Sequence, residues 1–117
     1  METAKHYRNG LRIMADYSNS GVWAICLPGE RDPFRHQMIT HDTLGIPPEL
    51  ASRFEKWVAN CSLWFEWKRG YGVSAFSAEE LNAEGRLLAS ELKQQVGSNC
   101  PVFYASIGNP KVDEPIR

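Results

Sequence analysis

Residues 77 to 97 constrain this chain more than any other stretch. Ser77-Ala-Glu-Glu80 has the form of a capping box: a hydroxyl and, three residues on, a carboxylate, each able to satisfy the other's free backbone N–H at a helix start. Leu81, Leu88, Leu92 and Val96 then recur at helical spacing, with Ala83 and Leu87 beside that stripe. Gly97 falls where a left-handed C-cap would close the helix. Pro101-Val-Phe-Tyr-Ala-Ser106 follows at once and reads as a strand. A capped amphipathic helix running into a strand sets the architecture of the C-terminal half and supplies no chemistry.

The remaining elements follow from the same patterns. Leu11-Arg-Ile-Met-Ala-Asp16 alternates, with Leu11, Ile13 and Ala15 on one side and Arg12, Met14 and Asp16 on the other, as in a half-buried strand. Tyr17-Ser-Asn-Ser-Gly21 is turn chemistry, and Val22-Trp-Ala-Ile-Cys-Leu27 is apolar on both faces, as in a central strand. Residues 34–40 suit a third short strand, and His41-Asp-Thr-Leu-Gly45 reads as loop. Pro47-Pro48 opens a helix, because a first-turn N–H has no partner to lose. Leu50, Phe54, Trp57, Val58, Cys61 and Phe65 form its apolar stripe, and it ends between Leu63 and Trp67. The order β-β-(β)-α-α-β predicts a single α+β domain over residues 1–107. It is a small antiparallel sheet of three to four strands with two helices packed on one face. Residues 108–117, with two prolines and four charged side chains, are expected to be a flexible tail.

Composition narrows the function classes. A length of 117 residues suits one core. The net charge of −1 lacks the basic excess of a nucleic-acid binder and the strong acidity of a DNA mimic. Cys26, Cys61 and Cys100 are odd in number and widely spaced, which favours free thiols in a reducing cytoplasm over a disulfide framework. No apolar run begins the chain, and none approaches the length of a membrane span.

Catalytic signals are weak. His36, His41 and Asp42 are the nearest approach to a metal cluster, but zinc takes three or four ligands and no further histidine or cysteine lies nearby in sequence. Solvent-exposed loop histidines are the better account, and no metal or cofactor is expected. Cys26 and Cys61 look like core, and Cys100 is the thiol expected to be reachable. No Gly-x-Ser-x-Gly elbow exists, and Gly70-Tyr-Gly72 lacks the lysine of a phosphate loop. Glu79 and Glu80 suffice as first-turn partners of the helix dipole. Asp16 is best read as a turn-capping carboxylate.

Aromatic crowding is the strongest lead. Trp57, Trp64, Phe65 and Trp67 fall within eleven residues, and Lys68-Arg-Gly-Tyr-Gly72 follows. One helix cannot bury all of these rings against one sheet. Either it is covered on two sides, or some indoles face solvent, where tryptophan beside arginine and tyrosine has the composition of an interface hot spot. Ordinary core plus loop remains the competing account.

Short motifs also carry a resemblance. Ala15-Asp16-Tyr17 with its serine turn and Gly21-Val22-Trp23 resembles the opening of a set of short bacterial proteins akin to the immunity proteins of toxin and competition loci. Gly45-Ile-Pro-Pro-Glu-Leu50, Asn82-Ala-Glu-Gly-Arg-Leu-Leu-Ala-Ser-Glu-Leu-Lys93 and the closing Val102-Phe103-Tyr104 are similar to that set as well. The resemblance spans residues 11 to 105 and departs from the set in the basic loop 68–72 and in residues 30–42. It transfers no functional residue. It implies a non-enzymatic, cytoplasmic binding protein that neutralises a cognate toxin by steric occlusion. The residues themselves nominate Trp64, Trp67, Lys68, Arg69 and Tyr71 as the partner-binding set, with a homodimer through the same loop as a further outcome. The alternative is a small enzyme or ligand-binding domain with a site at the hairpin end near Asp16, Tyr17 and Trp23, served by His36 or His41.

Overall fold

The structure is a computed structural model that describes residues 7–15, 20–26, 36–97, 99–109 and 112–117. Its elements run β1 (Leu11–Ile13), β2 (Val22–Ala24), β3 (Gln37–Met38), α1 (His41–Leu44), α2 (Pro48–Lys68), α3 (Ala78–Val96), β4 (Val102–Ala105) and β5 (Asp113–Ile116). The five strands form one sheet in the order β3-β2-β1-β4-β5.

The α+β class and the two long helices on one face agree with the sequence reading, whereas the sheet is mixed and larger than expected. β1 pairs antiparallel with β2 and parallel with β4. The one-turn α1 and the two long helices separate β3 from β4, and a crossover of that length lets the returning strand lie parallel to β1. The third strand is shorter than expected, at Gln37–Met38, while residues 34 and 35 lie outside the described residues. The segment read as loop at 41–45 contains the one-turn α1, because the Thr40 hydroxyl accepts the Thr43 N–H at 3.3 Å and caps it.

Period-two alternation sorts the strands into two faces. Leu11 and Ile13 stand opposite Ala24 and Val22 on one side and Val102 and Tyr104 on the other. These six join Phe54, Trp57, Cys61, Leu88 and Leu92 from the helices in the main core. The opposite face buries Met14, Trp23 and Ala105 as a smaller cluster.

The expected tail 108–117 instead carries β5, paired antiparallel with β4. Asp113-Glu-Pro-Ile116 has poor intrinsic strand propensity. Charge holds it from both faces. The buried Arg12 guanidinium donates to both Asp113 oxygens at 2.8 and 2.6 Å, and Arg86 of α3 donates to both Glu114 oxygens at 3.0 and 3.1 Å. Pro115 is tolerated because β5 is an edge strand.

The capping box is present as read: the Glu80 N–H reaches Ser77 Oγ at 3.2 Å, and the Ser77 N–H reaches Glu80 Oε1 at 3.1 Å. Gly97 does end α3 with positive φ, but its ψ of 178° is extended rather than left-handed helical. Two tethers hold α3, the first to α2 and the second to the sheet. Trp57 Nε1 donates to the Leu81 carbonyl at 2.8 Å, and the fully buried Tyr104 hydroxyl donates to Asn82 Oδ1 at 2.6 Å.

Candidate functional site

The buried stripe of α2 advances by alternating steps of four and three, through Leu50, Phe54, Trp57, Cys61 and Trp64. The helix then continues one more turn, past its last core residue. Trp67 therefore emerges at 48% exposure and lies over Trp64, with ring centroids 6.4 Å apart and 48° between planes. Trp64 is only 8% exposed and meets Phe65 edge-on at 5.4 Å. The nominated residues thus divide. Trp64 is a core residue rather than a surface anchor, because the four-three rhythm reaches it before Phe65. Trp67, Lys68, Arg69 and Tyr71 all face solvent, Tyr71 at 69%.

The turn that follows is tied down by its own backbone. The Tyr71 N–H donates to the Glu66 carbonyl at 2.8 Å, and the Gly70 N–H donates to the Trp67 carbonyl at 3.0 Å. The Ser74 hydroxyl donates to the Phe76 carbonyl at 2.7 Å, and the capping box fixes Ser77. The exposed rings accordingly sit on a held turn. Sequence reasoning missed three members of this surface: Leu63, Val73 and Phe76. Leu63 lies just off the helical stripe, and Phe76, directly before the Ser77 cap, stays 40% exposed. Of the eight large exposed hydrophobic residues among the described residues, five lie between 63 and 76, so the exposed apolar area is concentrated rather than scattered.

Two shallow grooves meet at Phe76. One, of about 430 Å³, runs beside Trp64, Trp67, Ala75 and Ala78. The other, of about 320 Å³, lies between α2 and α3 beside Arg53, Lys56, Asn60 and Glu84. Arg53 bridges the helices, 2.6 Å from Glu91 and 3.4 Å from Glu84. Burial alone would lower its pKa, but hydrogen bonding and attraction from Glu91 and Glu84 outweigh that and raise it above the ordinary arginine value.

The hairpin-end alternative fares differently. Asp16 and Tyr17 lie outside the described residues. Trp23 is buried and donates from Nε1 to the Met14 carbonyl at 3.2 Å. His36 Nδ1 accepts the Cys26 N–H at 3.2 Å, and His41 Nε2 lies 2.8 Å from the Ser20 carbonyl, which can only accept. Both imidazoles are therefore engaged in holding the backbone near β2. Among the described residues, no group of three or more His, Cys, Asp or Glu is placed to hold a metal ion. The thiols exchange the roles expected of them. Cys26 lies beyond the end of β2 and is exposed, whereas Cys100 is buried, and burial pushes its thiol pKa up against the opposing pull of Lys93. No helix among the described residues is long and apolar enough to cross a membrane.

An α+β domain with a concentrated aromatic surface and with motifs like those of immunity proteins points to one class. Residues 9–107 match the family model described as Serratia CdiI immunity protein-like, and the chain belongs to that family. Comparisons with curated proteins and with solved structures find no match.

Proposed function

We propose that this chain is a non-enzymatic, cytoplasmic immunity protein that neutralises a cognate toxin by steric occlusion. Its contact surface is the held turn between α2 and α3. Trp67, Arg69 and Tyr71 are the anchors, Lys68 is at the rim, and Trp64 is the buried floor on which Trp67 rests. One observation carries the reading: five large apolar side chains within fourteen residues stay exposed, Leu63 and Trp67 on the end of α2 and the other three on the turn that local hydrogen bonds order. Such a surface loses little conformational entropy on docking, so its apolar area is available for affinity. Membership of an immunity-protein-like family supplies the kind of partner.

The test is titration calorimetry against the cognate toxin, once it is identified by co-purification with this chain. The double change Trp67→Ala, Arg69→Ala is expected to weaken the complex by well over ~1 kcal/mol, the size that marks a significant contact, and to abolish growth protection. Unchanged affinity with an intact fold would place the interface elsewhere. Gel filtration of the chain alone separates this reading from self-association through the same turn.

A further inference from the structure

We propose that Asn9 is a site of spontaneous deamidation, and that the folded chain holds the reaction in check by engaging both groups that must meet. The site lies at the entrance to β1 and owes nothing to the contact surface between α2 and α3.

Asn9-Gly10 is the one Asn-Gly pair in the chain. The fold demands the glycine. Gly10 has a φ of 108°, and a Cβ there would lie 2.9 Å from the Pro101 carbonyl oxygen. The turn suits the asparagine, which is the third residue of the turn that the Gly10 N–H closes on the Tyr7 carbonyl at 2.8 Å. Together they make a labile pair, because glycine has no Cβ to shield its nitrogen from the preceding asparagine side chain. In the reaction the Gly10 nitrogen loses its proton and attacks Asn9 Cγ. The N–Cγ bond forms, the Cγ–Nδ2 bond breaks, and ammonia leaves with that proton. Solvent water then opens the five-membered imide. Cleavage of the N–Cγ bond leaves aspartate. Cleavage at the Asn9 main-chain carbonyl leaves isoaspartate, whose backbone runs through the side chain and is one methylene longer.

Three contacts oppose this chemistry in the folded chain. The Gly10 N–H is committed to the Tyr7 carbonyl. Asn9 Nδ2 donates to the Cys26 carbonyl at 3.2 Å, which pins the side-chain amide. The Gly10 carbonyl accepts the Ile25 N–H at 3.0 Å, so the residue cannot swing freely. Asn9 and Arg8 face solvent and Tyr7 is half-buried, so this turn opens at less cost than the whole domain. The same contacts stitch the start of β1 to the end of β2. Aspartate removes only the Asn9–Cys26 bond, whereas isoaspartate displaces the whole stitch on the middle strand of the sheet.

The experiment incubates the full-length chain at mildly alkaline pH, folded and in denaturing urea, and follows the peptide containing Asn9 by mass spectrometry. Isoaspartate methyltransferase labelling separates the two products. In urea Asn9 should convert faster than any other asparagine. In the folded chain it should convert more than about tenfold more slowly, a ratio equivalent to ~1.4 kcal/mol of opening. Equal rates in the two conditions would overturn the restraint, and an Asn9 that stays intact in urea while other asparagines convert would overturn the site. The isoaspartate-bearing chain should also unfold at lower urea than an Asn9→Asp chain, which loses the same donor without lengthening the backbone. Equal midpoints would show that the stitch at Gly10 does not hold β1.

Discussion

Replacing Gly85 with alanine puts a methyl carbon where the fold has no room for one. Gly85 lies mid-helix in α3, over the junction of the two buried rings that join the helices to the sheet. Its added Cβ would sit 2.4 Å from Tyr104 Cε1, 2.6 Å from Tyr104 Oη and 2.7 Å from Trp57 Cζ2. Ordinary van der Waals contact begins near 3.4 Å, so the rings would have to retreat by about 1 Å. Neither is free to do so. Tyr104 is held through Asn82, which also accepts the Ile107 N–H at 2.9 Å, and Trp57 is held through the Leu81 carbonyl. Alanine gains ~1 kcal/mol over glycine in intrinsic helix preference. Against this stand ~1–3 kcal/mol of overpacking and ~1–3 kcal/mol if the shift breaks a buried hydrogen bond. The net is a destabilisation of about 1–5 kcal/mol, near 3 at the centre, or a fall in Tm of roughly 10 °C for a domain of this size. Urea unfolding followed by tryptophan fluorescence measures it, with Ala83→Gly on the exposed side of the same helix as the propensity control. A Gly85→Ala protein as stable as the wild type, or more so, would refute the close-approach argument.

Three further outcomes are expected. Asp113→Ala removes the carboxylate that takes two Arg12 N–H groups, so urea unfolding should show a loss of more than about 1 kcal/mol, and the double change Arg12→Met, Asp113→Ala should recover part of it; a smaller loss would mean that the pair does not hold β5. A thiol reagent under native conditions should label Cys26 quickly and Cys61 and Cys100 only on unfolding, and rapid labelling of Cys100 would contradict its burial. Because its pKa is raised, Cys100 holds its proton more tightly in the folded chain than in the unfolded one. Its contribution to stability is therefore complete below the ordinary thiol value of 9.0 and is lost as pH climbs through the folded value, so Cys100→Ala should flatten the alkaline decline in urea midpoint.

Local signals were legible and distant ones were not. The capping box and the two amphipathic stripes rest on interactions within a few residues, and the structure reproduces them; β1 alternates between two faces as read, but it is buried on both rather than half-buried, because Met14, Trp23 and Ala105 cluster behind it and Arg12 pairs with Asp113. β5 escaped because its determinants are remote. Asp113 is held by a guanidinium 101 residues away, and Glu114 by one 28 residues away, so no window around residue 113 contains a reason for a strand. The mixed sheet escaped for a related reason: strand direction depends on where a crossover lands, and no single strand's composition records it. At the surface, aromatic density draws attention to residues 57–71, but one residue of helical phase decides which ring is covered. Trp64 completes the four-three stripe and Trp67 falls outside it.

That same phase bears on how binding would work. A helix that served only the core could stop at Trp64. α2 instead runs on to Lys68, and the chain then keeps Tyr71, Val73 and Phe76 exposed before the cap at Ser77. Isolated exposed apolar residues need no explanation, but a cluster on an ordered turn does, because it gains nothing from folding and invites aggregation. With a net charge of −1 the domain has little long-range field to accelerate encounter, so complex formation would proceed at an ordinary, unsteered rate. Differences among Trp67 and Tyr71 variants should then appear mainly in the dissociation rate, where loss of buried rings acts most directly. Stopped-flow measurements would separate the two rates, and variants that slowed association while leaving dissociation unchanged would show that recognition is led by charge and not by the rings.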